Sequence, residues 1–402
     1  MKILIADWDS FEDRDIEEIL GDLGHEVFKS PYVESEPDEV TGTQLSLFRQ
    51  VIKDICPDCV FSYNFFPPVS DICQETDTPY ISWVYDSPYM HLYSESANNP
   101  VNRIFLFDGG LCSALQNRGL QTIHHFPLGI NTARYNRQCG TPTMPKKAGY
   151  IDLNTGRLNL ESDISFVGSL YTEDRHRLYE MIHPSEYAGG YLDSIIAAQK
   201  HIYGANIIDS LLTDDIISEI RRSFPYAVED DISMTAREFY SQYVLARKVT
   251  AVERNEIMSL IGQVFDNRKI LLFTNDPDIR FKNVRNIGAV DYYKEMPEVF
   301  HSARINLNIS LRSILTGIPL RALDIMASGG FLLSNYQVEL DNGFLAGREY
   351  DYYSDYEDLC AKIEYYLSHP SERKDIAAAG WEKIQHEYSL RSRTEEMLNM
   401  AL

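Results

Sequence analysis

One stretch limits what this chain can fold into more than any other: Ile305 to Tyr336, INLNISLRSILTGIPLRALDIMASGGFLLSNY. Ile305, Leu307 and Ile309 alternate with Asn306 and Asn308, the period-two pattern of a strand. A polar loop from Ser310 to Gly317 follows and carries Arg312, Ser313 and Thr316. Pro319 then stands where a helix takes its first residue, with Leu320, Leu323 and Ala327 on one face. Gly329-Gly330 ends that helix, and Phe331-Leu332-Leu333 opens another buried strand. Strand, loop, helix and strand make one βαβ unit.

The loop ahead of that helix carries the chemistry. The first amides of a helix have no internal partners, and the helix dipole adds partial positive charge there. Amides from Thr316 to Leu320, those of Gly317, Ile318 and Leu320 included, therefore read as a phosphate cradle that Gly317 lets a ligand approach closely. Arg312 and Arg321 can each add bidentate, charge-assisted hydrogen bonds to a diphosphate. Asp324, an acceptor-only carboxylate one turn on, suits a ribose diol. An ordinary amphipathic helix with a solvated Arg and Asp explains the same spacing, because no Walker-type or GxGxxG signature is present.

With 402 residues, two domains are the natural expectation. Up to His125 the chain alternates apolar strand-like runs, such as Ile3-Leu4-Ile5-Ala6 and Arg103-Ile104-Phe105-Leu106-Phe107, with helical segments. That alternation implies a parallel sheet with helices on both faces, whose ligands bind beyond the carboxyl ends of the strands. Three loops sit at such ends: Asp7-Trp8-Asp9, Tyr85 to His91, and Pro127 to Asn131. Asp86 and His91, with Asp7, are the acid–base candidates, set against a turn-capping Asp and a surface His. His124-His125 has no third ligand nearby in sequence, and no metal site is expected.

A net charge of −23 argues against broad nucleic-acid or anionic-membrane binding, while leaving room for a small phosphate ligand. No apolar run approaches the ~20 residues of a membrane span. Met1 leads directly into a strand pattern and the six cysteines are scattered, so a cytoplasmic protein without a secretory leader is expected. Cys56-Pro-Asp-Cys59 lacks the second pair of a zinc site, and Cys59 opens an apolar run. The Pro-, Gly- and Lys-containing stretch from Thr141 to Leu160 reads as an interdomain linker. Beyond it the βα rhythm restarts at Asp163. Arg247, Lys248 and Arg254, on a helix from Lys248 or just before it, are further phosphate candidates, against a reading as solvated helical charges.

The run GIPLRALDIMASGGFLLSNYQVEL resembles the donor-binding segment of bacterial spore-maturation-type (CgeB-like) glycosyltransferases, and WVYDSP and FPLGIN resemble their N-terminal domain. The resemblance implies the GT-B fold: an α/β protein of two Rossmann-like domains, with parallel sheets facing a central cleft. It implies an acceptor-side domain over 1–145, a linker over 146–160, a nucleotide-sugar-binding domain over 161–386 with a helical insertion near 179–240, and a terminal helix over 387–402 returning to the first domain. Gly168 and Ser169 would line the cleft, Gly288 would lie in a loop against the nucleobase, and Asp324 would hold the ribose. The broader retaining families carry a Glu eight positions before that acidic residue, where this chain has Thr316. The resemblance thus implies transfer of a sugar from a nucleotide-diphosphate-sugar to a glycan, protein or small-molecule acceptor, without a metal or other cofactor. A nucleotide-sugar epimerase of the same fold and a non-catalytic scaffold, favoured by Thr316, are the alternatives.

Overall fold

The computed structural model describes residues 1–31, 42–140, 150–152, 157–226 and 232–402. The chain forms two compact units. The first takes Met1–Asn131, the described residues 232–234, and Tyr388–Leu402; the second takes Thr132–Ala227 and Thr235–Glu387 so far as they are described. The boundary thus falls at residue 131, earlier than the expected 145, because the Thr132–Cys139 helix packs within the second unit. Most of the linker expected over 141–160 lies outside the described residues. The rest holds an antiparallel pair, β7 (Tyr150–Asp152) with β8 (Arg157–Asn159), that no periodicity announced.

The first unit is built on β1 (Lys2–Asp7), β2 (Glu26–Pro31), β3 (Cys59–Tyr63), β4 (Tyr80–Val84), β5 (Asn102–Leu106) and β6 (Ile123–His125). They pair in parallel in the order β2-β1-β3-β4-β5-β6. Every residue of β3 and β4 is buried, as continuous apolar runs covered on both faces by helices demand. Cys59 belongs to that core while Cys56 is exposed, so the CxxC spacing does not make a working pair. The Leu390–Ala401 helix completes this unit, with Leu390, Met397 and Leu398 buried, the Ile130 amide donating to Tyr388 O and the Leu390 amide donating to Ile130 O.

The second unit repeats the plan with β9 (Ser162–Val167), β10 (Ile270–Phe273), β11 (Val284–Asn286), β12 (Ala303–Asn308), β13 (Leu332–Asn335) and β14 (Asp351–Tyr353), all parallel in the order β11-β10-β9-β12-β13-β14. Ile164, Phe166, Leu272, Ile305, Leu307 and Leu333 form the centre of its core. A second cluster, from Ile182 through Leu192, Ile196 and Ile220 to Tyr240 and Val249, gives the helical insertion its own apolar interior. The chain leaves β9 for β10 and β11 on one side and returns to β12 on the other. That reversal opens a crevice beyond the carboxyl ends of β9 and β12, the place where such sheets take ligands. Among the described residues no helix is long and apolar enough to cross a membrane.

Candidate functional site

At the reversal point β9 ends and Gly168 turns the chain with φ +151°. A Cβ placed there would lie 2.5 Å from Arg321 Nη2, so the glycine lets the guanidinium rest against the turn. Arg321 is the second residue of the Leu320–Ala327 helix, whose amino end has Pro319 as its cap and no side-chain cap. Its guanidinium lies over the Phe166 ring at 5.6 Å and makes no hydrogen bond or ion pair among the described residues. Burial, and then the charge of Arg254, push it down to about 10, where it still carries its proton at neutral pH.

Arg254 comes from the Ala246–Val264 helix and is 2% exposed. Its Nε donates to Ile309 O at 3.0 Å and its Nη1 to Ser169 O at 2.7 Å. It shares the Phe166 ring with Arg321 and lies 5.0 Å from the centre of Tyr171. Two turns earlier on the same helix face, Arg247 approaches Tyr171 and Tyr243, with its Nε buried and unpaired. Three arginines thus meet around Phe166 and Tyr171. Ser169 serves this arrangement through its carbonyl, while its Oγ donates to Glu173 at 3.0 Å and accepts from the Tyr171 amide.

Asp324 stands one turn beyond Arg321 and is 3% exposed. Tyr135 donates to its Oδ1 at 2.6 Å and Tyr292 at 3.3 Å, while Oδ2 carries no hydrogen bond among the described residues. Burial raises the carboxyl to about 6 against the pull of Tyr135 and Arg134. Arg134 stacks 4.5–5.0 Å over Tyr135, Tyr292 and Tyr293. Tyr135 and Tyr292 were not foreseen, because only folding brings positions 135, 292 and 324 together.

Arg312 corrects a sequence expectation. Its guanidinium is spent inside the unit: Nε on Glu253 Oε2 at 2.9 Å, Nη1 on Ile202 O and Nη2 on Lys200 O, with Tyr203 stacked at 4.2 Å. It fastens the β12 loop to the helical insertion, with its charge answered by the buried Glu253 and one N–H of each guanidinium nitrogen committed inside the unit. Ser313 is buried at 3% exposure, and Ile318 is likewise inside. Thr316 and Gly317 face the segment after β13: Thr316 Oγ1 donates to Glu339 Oε1 at 2.6 Å, Glu339 N to Thr316 O at 3.0 Å, and Gln337 Nε2 to Gly317 O at 3.2 Å. Gly288 follows β11 with φ +97°, its amide on Asn286 Oδ1.

The acid–base candidates occupy the first unit. Asp7, the last residue of β1, pairs with Lys29 at 2.9 Å. Burial works to raise its carboxyl, yet Lys29 and the Asp9 amide hold it below the ordinary value. The raised group there is its neighbour Asp13, pushed to about 7 by burial and by Asp7. Asp86 stands exposed past β4 with Asn64 Nδ2 on its Oδ2 at 2.7 Å; protein crowded around the carboxyl raises it, and Asn64 opposes that. His91 is half-buried in a 3₁₀ turn, edge-on to Tyr89 at 5.2 Å. Among the described residues no group of three His, Cys, Asp or Glu is arranged to hold a metal ion.

A family model described as "Glycosyl transferase-like" matches residues 249–399. No curated protein sequence matches the chain. Several solved structures resemble it over its whole length. HepE from Anabaena in complex with UDP-glucose is 8% identical, with a TM-score of 0.52, 100% of this chain covered and 99% of that one. A glycosyltransferase from Rickettsia africae is 11% identical, with a TM-score of 0.51 and coverage of 100% and 97%. Sucrose-phosphate synthase from Thermosynechococcus elongatus is 12% identical, with a TM-score of 0.50 and coverage of 99% and 97%. Two sheets of six parallel strands, each wrapped in helices, give this chain the GT-B fold of those glycosyltransferases.

Proposed function

We propose that the chain is a glycosyltransferase that takes a nucleotide-diphosphate-sugar on its second unit. The observation that supports this most is Arg321, a guanidinium without a hydrogen-bonding partner among the described residues, pressed against the Gly168 turn beside Arg254. Two like charges held together at a helix amino end gain from an anion placed between them and the first helical amides. The diphosphate would lie on Arg321 and the amides of Gly317, Ile318 and Leu320, with Arg254 and Arg247 adding positive field. Asp324, fixed through Oδ1 by two phenols, would accept the ribose diol on Oδ2. The Gly288 loop would lie by the base.

In the transfer, the bond from the anomeric carbon to the β-phosphate oxygen breaks and its electron pair leaves with the diphosphate. The acceptor hydroxyl forms the new bond and gives up its proton to a general base. Arginine charge stabilises the leaving diphosphate, so no divalent ion is required. The ligand of HepE makes UDP-glucose the first donor to try. The test is release of nucleoside diphosphate from UDP-, GDP-, ADP- and TDP-glucose in EDTA, with water standing in for the acceptor. One donor should turn over, and Arg321→Ala should slow it at least about a hundredfold. Folded protein that releases nothing from any donor would favour the non-catalytic reading.

A further inference from the structure

The charged groups of the second unit follow one another in a fixed order. Asp324 stands in the field of Arg321, Arg321 in that of Arg254, and Arg254 and Arg247 share the Tyr171 ring at 5.0 and 5.9 Å from its centre. The next charge past Arg247 is Arg175, again positive. Among the described residues Arg247 makes no ion pair or hydrogen bond, and its Nε is buried without a partner. His176 meets the Tyr171 ring edge-on at 5.1 Å, and its Nδ1 is likewise buried and unpartnered. Burial and the charges of Arg247 and Arg175 hold this imidazole below its ordinary value, so it is neutral at pH 7. Tyr171 takes φ +57°, a left-handed conformation rare for a bulky residue. Its amide on Ser169 Oγ, and Thr172 Oγ1 on Asp276 Oδ2 at 2.6 Å, tie the turn in that shape. Arg247, Tyr171 and His176 are all half-buried, so each keeps an accessible edge.

We infer that Arg247, with Tyr171 and His176, receives a carboxylate on the transferred sugar, so that the donor is a nucleotide-diphosphate-uronic acid. The inference rests on the donor reading above and names its substrate class. With the ribose on Asp324 and the diphosphate on Arg321 and the helix amides, the far end of the ligand runs towards Arg254, Tyr171 and Arg247. Each phosphate of a nucleotide-sugar carries one negative charge, and Arg321 and Arg254 match these. Arg247 is then a cation in excess. Glu173 acts on His176 and not on Arg247, so it does not neutralise the guanidinium. An uncharged sugar would leave that guanidinium without a counter-ion, whereas a carboxylate can take two parallel hydrogen bonds from it. The neutral imidazole can donate to the same carboxylate or accept from a neighbouring hydroxyl.

The experiment is calorimetric titration of the intact protein in EDTA with uridine, guanosine, adenosine and thymidine diphosphates and with the glucose and glucuronate conjugates of each. The ratio of the two conjugates' affinities is the readout, because whatever Arg247 adds to diphosphate binding cancels in it. The wild type should bind the glucuronate conjugate about ten- to a hundredfold more tightly than the glucose conjugate. Arg247→Gln should abolish that preference, and Arg247→Lys should keep part of it, since the charge stays while the planar fork is lost. Arg175→Gln removes an exposed like charge nearby and should leave the ratio within about twofold, which separates direct contact from the general field. A wild type that binds a bare diphosphate but lacks the preference overturns the inference, as does a preference that survives Arg247→Gln. If the wild type binds no nucleoside diphosphate, the donor reading itself has failed and the inference falls with it.

Discussion

In the proposed site Asp324 would trade stability for a binding task. Its carboxyl sits at about 6 against an ordinary 3.8, so the native state holds its proton more tightly than the unfolded chain does. Ionising it therefore costs stability, and the cost is present above pH 6 and fades as pH falls towards 4. Asp324→Asn keeps an oxygen for Tyr135 and removes the buried charge. At pH 7.5 this variant should unfold later than wild type, by about 1–3 kcal/mol, and the gain should vanish near pH 4. It should also lose at least about tenfold in nucleotide affinity. Thermal unfolding at the two pH values with a binding titration checks this, and a variant less stable than wild type at pH 7.5 would contradict it. The candidacy of Asp324 as an acceptor was legible from its residue type and its place one turn into the helix. The raised pKa was not, because it comes from burial, which outweighs the opposing pull of Tyr135 and Arg134.

Among elements, the contrast between Arg312 and Arg321 marks how far local pattern reaches. The strand, loop, helix and strand were read from periodicity and glycine punctuation, and they stand as β12, the Leu320–Ala327 helix and β13. Pro319 caps the helix rather than starting it, a shift of one residue. Both arginines looked equally suited to phosphate, because sequence spacing cannot say which guanidinium the fold consumes. Arg312 is consumed by Glu253 and by carbonyls at positions 200 and 202, all more than 50 residues away. Glu253 is fully buried, so Arg312→Ala leaves a carboxylate without its counter-ion. We expect that change to cost about 3–5 kcal/mol, visible in chemical denaturation, while nucleotide affinity per folded molecule stays within about twofold. Arg321→Ala should do the reverse. Equal behaviour of the two variants in both assays would refute the division of roles.

At the scale of the molecule, the alternation of strands and helices sufficed for two parallel sheets, and each turned out to have six strands. The strand order, and with it the reversal between β9 and β12, depends on which edges pair and does not show in periodicity. It is this order that brings Gly168 and Ser310 to neighbouring strand ends. Residues 132–139 fell inside the expected first domain over 1–145 by sequence position alone, whereas their helix belongs to the second unit, where Tyr135 bonds Asp324. The terminal helix joins the first unit because its apolar face, Leu390, Met397 and Leu398, is covered there. An acidic chain of net charge −23 thus collects Arg247, Arg254 and Arg321 at one crevice of one unit, where local placement outweighs the average.

The central claim is that this crevice binds a nucleoside diphosphate through arginine charge. Calorimetric titration of the intact protein with UDP, GDP, ADP and TDP in EDTA, repeated with Arg321→Ala, tests it most directly. The account predicts saturable binding of at least one diphosphate without a metal ion, weakened at least about tenfold by the substitution while the thermal midpoint is unchanged. Folded wild-type protein that binds none of the four, or an Arg321→Ala variant that binds as tightly as wild type, would contradict it.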